Sequence, residues 1–311
     1  MKKIAISIGD LNGIGLEIAL RAHDEVKKLC QPIYCINENM LGWGAALLGL
    51  DVPLDFEIRD CGKVFEIEAG VCSAEAGESS YDSFITAVAL AKSNEVSGIV
   101  TLPINKESWA MAGLEYKGHT DALSDLLGCE AIMMLGCEEM FTILYTHHIP
   151  LCDVPYEVKA KKLKPFLLKV YEELGEDKIA VLGLNPHAGD NGVIGDEEEE
   201  IKKAIAKANH FLEREVFVGP FVPDMAFTKA NREKFRYFVC MYHDQGLIPL
   251  KALYFDESIN VSLNAGIIRT SVDHGTAFDI AYKDGNPSTL SYVNAIKEAV
   301  KLATGKKLLT F

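Results

Sequence analysis

The chain has 311 residues, 49% of them apolar and 24% charged, enough for one large domain or two ordinary ones with well-filled cores. Its net charge of −14 argues against a nucleic-acid or membrane-surface role, so an anionic ligand would need a local cationic site. The opening MKKIAISIGD carries too short an apolar run for a signal sequence, and no stretch is long enough to span a bilayer.

Apolar runs and turn residues alternate from the start. Residues 3–8 read as a buried strand, 14–29 as a helix, 32–36 as a strand and 40–50 as a helix. Short strands are expected at 54–58 and 64–65, an amphipathic helix at 80–93, a strand at 98–102 and a helix opening near Asn105. The second half continues with strands at 131–135 and 141–146, a helix at 158–174, a strand at 179–184 and a helix at 197–211. Strands at 237–241 and 261–263 and a helix at 292–304 complete the pattern. Such alternation predicts an α/β protein with mostly parallel sheets. The acidic run 196–200 reads as a solvated helix N-terminus, where carboxylates suit the dipole. The eight cysteines form no CxxC pair and read as reduced thiols of a cytoplasmic protein.

Three histidines stand out. His148 closes Leu144-Tyr145-Thr146-His147-His148, His187 lies in Leu184-Asn185-Pro186-His187-Ala188-Gly189, and His243 in Met241-Tyr242-His243-Asp244-Gln245-Gly246. Each follows an apolar strand-like run, which places an imidazole on the rim of a sheet, where three can hold a divalent metal. Taken singly, a histidine at a strand end is more often structural, and the pattern does not separate His147 from His148.

Other motifs have bland readings too. The glycine-rich turn 9–15 does not fit G-x-G-x-x-G and is expected to bring a helix N-terminus close to the cleft rather than to bind a dinucleotide. In Gly118-His119-Thr120-Asp121, the simple reading is capping by Thr120 or Asp121, and the functional one is anion binding at a helix start. Arg269 follows Gly266-Ile267-Ile268, where a buried cation needs an anionic partner such as a substrate phosphate or carboxylate. The stretch 271–281 reads as a glycine turn entering a helix. Asp279 is then either an exposed first-turn carboxylate or an acceptor for a cofactor ribose.

Together, GDLNGIGLEI, TLPINK, GHTD, THHIPL, LNPHAG, MYHDQGLIPLK and NVSLNAGIIRTSVDHGTAFDIA resemble the 4-hydroxythreonine-4-phosphate dehydrogenase family of vitamin B6 (pyridoxine phosphate) biosynthesis, across essentially the whole chain. Leu11 and Leu16 stand where that family commonly has proline. The resemblance implies two α/β/α domains flanking a central cleft, isocitrate/isopropylmalate dehydrogenase-like, divided as 1–118 plus 281–311 and 119–280. It implies that His148, His187 and His243 bind one divalent metal (Zn, Mg or Co), and that His119, Thr120, Lys251, Asn260 and Arg269 contact a small phosphorylated amino-acid substrate. Asp224 is placed near the metal. Asp244 and Lys251 are the catalytic candidates, with the general base left open between them. His274, Gly275, Thr276, Asp279 and Asn286 match a cofactor loop for NAD, with NADP as the alternative, although the match loses one residue before Asn286. The family further implies a homodimer with the active site at the interface and one metal ligand from the partner chain. Alternatives are a paralogue acting on phosphothreonate or phosphoerythronate, or a non-catalytic metabolite-binding protein.

Overall fold

A computed structural model describes residues 1–283 and 285–305. In chain order the elements are β1 (Lys3–Ser7), α1 (Gly15–Val26), β2 (Gln31–Cys35), α2 (Glu38–Leu48), β3 (Ile58–Arg59), α3 (Ala74–Lys92), β4 (Gly98–Thr101), α4 (Lys106–Met111) and α5 (His119–Leu127). Next come β5 (Ile132–Cys137), β6 (Met140–Leu144), α6 (Val154–Glu157), α7 (Ala160–Leu174), β7 (Ile179–Leu182), α8 (Glu197–Leu212) and β8 (Phe217–Phe221). The remainder are α9 (Pro223–Ala226), α10 (Lys229–Arg232), β9 (Tyr237–Cys240), α11 (His243–Tyr254), β10 (Ile259–Leu263), β11 (Arg269–Val272) and α12 (Leu290–Gly305).

These elements form two compact units, one of Met1–Ala131 with Ile259–Thr304 and one containing Ile132–Ser258. In the first, the strand order is β3-β2-β1-β4-β11-β10. All its neighbours are parallel except β10 and β11. Strand β4 is buried at every position, as expected of a parallel strand covered on both faces. The second unit has the order β5-β6-β9-β7-β8. Strands β5 and β6 form an antiparallel hairpin and the rest are parallel. The chain is therefore α/β with mostly parallel sheets. No helix among the described residues is long and apolar enough to cross a membrane.

The units divide at 131/132 and 258/259, not at 118/119 and 280/281. Packing explains the difference. Ala122 and Leu123 of α5, with Ala265 after β10, lie in one core with Phe84 and Trp109. Trp109 is fully buried, and its indole N–H donates to Ser80 Oγ at 2.8 Å, so its polar edge is satisfied. The other tryptophan, Trp43 on α2, is 53% exposed. The second unit has its own core around Leu182, Phe235, Phe238 and Leu250.

Several expectations shift. Helix α3 starts at Ala74 because Ser73 Oγ accepts the Ala76 N–H at 3.2 Å and caps it there. Residues 64–65 are not a strand, and β3 is only two residues long. Strands β8 and β11 and helix α11 add to the elements expected from the sequence pattern. All eight cysteines are free thiols; Cys30, Cys35, Cys137 and Cys240 are buried and Cys152 is exposed.

Candidate active site

In the second unit β6, β9 and β7 are neighbours and parallel, so their carboxyl ends share one edge of the sheet. Each of the three histidines follows one of these ends. His148 lies past β6, His187 lies past β7, and His243 is the first residue of α11, just after β9. This is where ligands bind in open α/β sheets. The rings of His148 and His243 have centres 5.8 Å apart and are tilted by 43°. With metal–nitrogen bonds of about 2.1 Å, two imidazoles on one ion have ring centres roughly 5–6 Å apart. His243 Nδ1 lies 2.7 Å from Asp244 Oδ1. A carboxylate accepts from a protonated ring nitrogen, which leaves Nε2 with its lone pair as the donor to a metal.

His147 meets His148 edge-on at 4.9 Å and turns its Nδ1 away from solvent, whereas His148 is exposed. Of the two, His148 is the one open to solvent. His187 is exposed on a loop of unusual backbone. Among the described residues, no group of three or more His, Cys, Asp or Glu side chains is gathered closely enough to hold a metal ion. One chain thus juxtaposes two of the three expected ligands. Asp224 is exposed on α9, a helix that packs against the His187 loop. Lys251 is half-buried on α11, about 12 Å along the helix from His243, with its Nζ 5.2 Å from the centre of the Phe255 ring.

The first unit holds a second group of predicted residues. Arg269 opens β11 and is only 3% exposed. Its Nε and Nη2 donate to Thr101 Oγ1 at 3.2 and 2.8 Å, and its Nη1 donates to Ser262 Oγ at 3.1 Å. Burial lowers its pKa to about 10, so it remains a cation at neutral pH, held by hydroxyls. His119 opens α5, packed against Phe84 at 4.9 Å and edge-on to Trp109 at 5.5 Å. Its Nε2 is closed off from solvent and has no partner. Burial first, and then the charge of Arg269, hold its pKa well below the usual imidazole range, so the ring is neutral. Asn260 and Ser262 are two apart on β10 and share a face, and Asn260 Oδ1 is also buried without a partner. A buried cation beside unsatisfied polar atoms suits a polar, anionic ligand.

Thr120 is half-buried in the first turn of α5. Neither Thr120 nor Asp121 caps α5, whose N-cap is Gly118 with no side-chain bond; Asp121 Oδ2 instead accepts the N–H of Lys117, just before the helix, at 3.0 Å. Thr101 and Ser262 were not singled out in the sequence. A lone hydroxyl in a strand carries no signal until the cation it faces is known.

The cofactor-type loop follows β11. No helix forms over 273–281; the segment is a series of turns with Ala277 at φ 46°, a left-handed residue that interrupts helical winding. Asp279 is therefore an exposed turn residue, and its backbone carbonyl accepts from Lys283 Nζ at 2.7 Å. The glycine-rich turn near the N-terminus backs this loop. Ile14 N–H donates to the Thr276 carbonyl at 3.1 Å, and a Cβ on Gly13 would come within 2.8 Å of that same oxygen. Tyr282 OH donates to the Leu11 carbonyl at 2.7 Å. His274 Nδ1 lies 3.0 Å from the Gly275 carbonyl, and Gly275 itself is exposed. Asn286 is exposed and lines a hollow of about 620 Å³ with Arg21, Glu25 and Leu50. In the same turn Asp10 is buried, which raises its pKa to about 6.

Residues 28–299 match the family model described as pyridoxal phosphate biosynthetic protein PdxA. The 4-hydroxythreonine-4-phosphate dehydrogenase of Sulfurimonas denitrificans is 58% identical over 300 residues, covering 96% of this chain and 97% of the relative. The enzyme of the same name from Campylobacter fetus is 56% identical over 97% of this chain and 98% of its own length. A crystal structure of a 4-hydroxythreonine-4-phosphate dehydrogenase from Burkholderia phymatum superimposes with a TM-score of 0.82 at 31% identity, covering 97% of this chain and 98% of that one.

Proposed function

Since this chain belongs to the family of the pyridoxal phosphate biosynthetic protein PdxA, we propose that it is a 4-hydroxythreonine-4-phosphate dehydrogenase acting on 4-phosphooxy-L-threonine. The C3 hydroxyl is oxidised with NAD, and the resulting β-keto acid loses carbon dioxide to give 3-amino-2-oxopropyl phosphate. The observation that carries this reading is Arg269, a buried cation whose hydroxyl partners leave its charge available to an anionic substrate.

His148, His187 and His243 would hold one divalent cation, and their nitrogen donors suit Zn or Co. When bound, such a cation lowers the pKa of a substrate hydroxyl and stabilises charge on oxygen. Asp244 fixes the ring orientation of His243 and so acts through it. That leaves Lys251, as its neutral amine, as our choice for the group that would take the hydroxyl proton; a bound nicotinamide would accept the hydride from C3. Arg269 and Thr120 bind the anionic groups, and neutral His119 and Asn260 supply hydrogen bonds without adding charge. The turns containing His274, Gly275, Thr276 and Asp279, with Asn286, would receive NAD.

An NADH-absorbance assay with 4-phosphooxy-L-threonine beside phosphoerythronate, before and after chelation, tests the substrate, the reaction and the metal requirement together. Turnover of phosphoerythronate alone would overturn the substrate assignment. Tight binding without NADH formation would make the protein a sensor.

We also propose a homodimer whose metal site draws one histidine from the partner chain. Pairwise exchange among His148→Ala, His187→Ala and His243→Ala dimers should restore activity in two of the three mixtures, to about a quarter of wild type, because half the dimers are mixed and each regains one of two sites. The silent pair identifies the two ligands that come from the same chain. Silence in all three, with exchange proven by mass, would rule out a shared site.

Asp279 is proposed to accept from the adenosine ribose and to disfavour the extra phosphate of NADP by repulsion. Asp279→Asn should narrow the NAD-to-NADP ratio of kcat/KM, mainly by improving NADP use. An unchanged ratio in the variant would refute that role.

A further inference from the structure

We propose that Glu198 is a positioning residue. Its buried carboxylate holds the left-handed loop that carries His187 and thereby sets the affinity of the metal site. The inference rests on the reading of His187 as a ligand.

The loop after β7 has a rare backbone. His187, Ala188, Gly189, Asp190 and Asn191 are all left-handed, with φ of 53°, 51°, 76°, 44° and 56°. Isolated residues adopt this conformation, whereas a run of five containing four with side chains is strained and persists only when its surroundings hold it. Local backbone bonds contribute, from Ala188 N–H to the Asn185 carbonyl and from Ile194 N–H to the Gly189 carbonyl. They do not anchor the loop to the rest of the unit.

Glu198 does. Although it belongs to the acidic run that reads as a solvated helix start, it is only 3% exposed. Its Oε1 accepts the backbone N–H groups of Leu184 at 2.8 Å and Asn185 at 2.7 Å, and its Oε2 accepts Asn185 Nδ2 at 2.9 Å. These three donors surround the carboxylate, and the first turn of α8 adds the favourable end of its dipole. The far side of the loop closes over the same group. A Cβ on Gly189 would stand 2.6 Å from Glu198 Oε2, so only glycine fits above it. One side chain thus ties the incoming limb of the His187 loop to a rigid helix and is covered by the other limb at Gly189.

The test compares wild type, Glu198→Gln, His187→Ala and Glu199→Gln in the intact protein, Glu199 being an exposed control paired with Lys202. Glutamine keeps the size and one acceptor oxygen, but it sets its own amide against the Asn185 amide. Cobalt is titrated calorimetrically, turnover is followed against cobalt concentration, and hydrogen exchange of 184–194 is measured in the metal-free proteins. Glu198→Gln should raise the cobalt Kd by about ten- to hundredfold. Saturating cobalt should restore kcat, with KM for the phosphorylated substrate unchanged and the metal-free melting midpoint lowered by no more than a few degrees. Exchange across 184–194 should accelerate, and Glu199→Gln should match wild type. Wild-type cobalt affinity with unaltered exchange would overturn the proposal, as would a general loss of stability accompanying the metal defect. If His187→Ala binds cobalt normally, the reading of His187 as a ligand fails. The metal-free exchange data then decide the positioning role alone.

Discussion

His187→Ala is expected to lose its metal and more than about a hundredfold of its turnover while keeping its fold. Removing a residue that merely orients a ligand costs ten- to hundredfold in affinity or activity, so deleting the ligand should exceed the upper end of that range. His187 is exposed, so stability should change by no more than about 1 kcal/mol. Metal content by elemental analysis and a melting curve check both parts. Full activity at normal metal content would remove His187 from the site.

Arg269→Met should lower kcat/KM for the phosphorylated substrate by about a hundredfold, or 2–3 kcal/mol, because a charge-assisted contact in a buried place disappears. Arg269→Lys should also be costly. Guanidinium reaches Thr101 and Ser262 together, and an ammonium on a flexible stem cannot present that planar fork. The increase should appear in KM for the substrate, with KM for NAD little changed. A second readout follows from His119, whose pKa is lowered by burial and also by the Arg269 charge. Loss of that charge should raise the His119 pKa while leaving it below the usual imidazole value, since burial remains. Unaltered KM together with unaltered His119 titration would make Arg269 structural.

Much of this was legible in the sequence because parallel strands are buried on both faces and announce themselves as apolar runs. Strands β1, β4 and β9 are of this kind, and the histidines after β6, β7 and β9 stood out because such a run ends just before each. Helix α11 was hidden because Gly246 and Pro249, ordinarily helix breakers, lie inside it. Strand β11 was hidden because its four residues, Arg-Thr-Ser-Val, are mostly polar, and their burial depends on partners elsewhere in the first unit. Glu198 was misread for a related reason. Four consecutive glutamates look alike, and only the arrangement of the preceding loop selects the one that turns inward. The domain limits moved because α5 and Ala265, just after β10, are claimed by a core whose other members lie far away in the chain.

The two tryptophans give the first unit an optical signal of its own. Trp43 and Trp109 both lie there, so intrinsic tryptophan emission is silent about the core around Phe238 and Leu250. A fluorescence unfolding curve that departs from one measured by far-ultraviolet circular dichroism would show the units melting separately. Within that signal the two indoles differ. Trp43 is open to water and should emit red-shifted and be readily quenched by iodide, while Trp109 is enclosed and edge-on to His119. With Trp43 replaced by Phe, the remaining emission comes from beside the residues expected to hold the substrate, making Trp109 an unlabelled reporter for titrating phosphate esters.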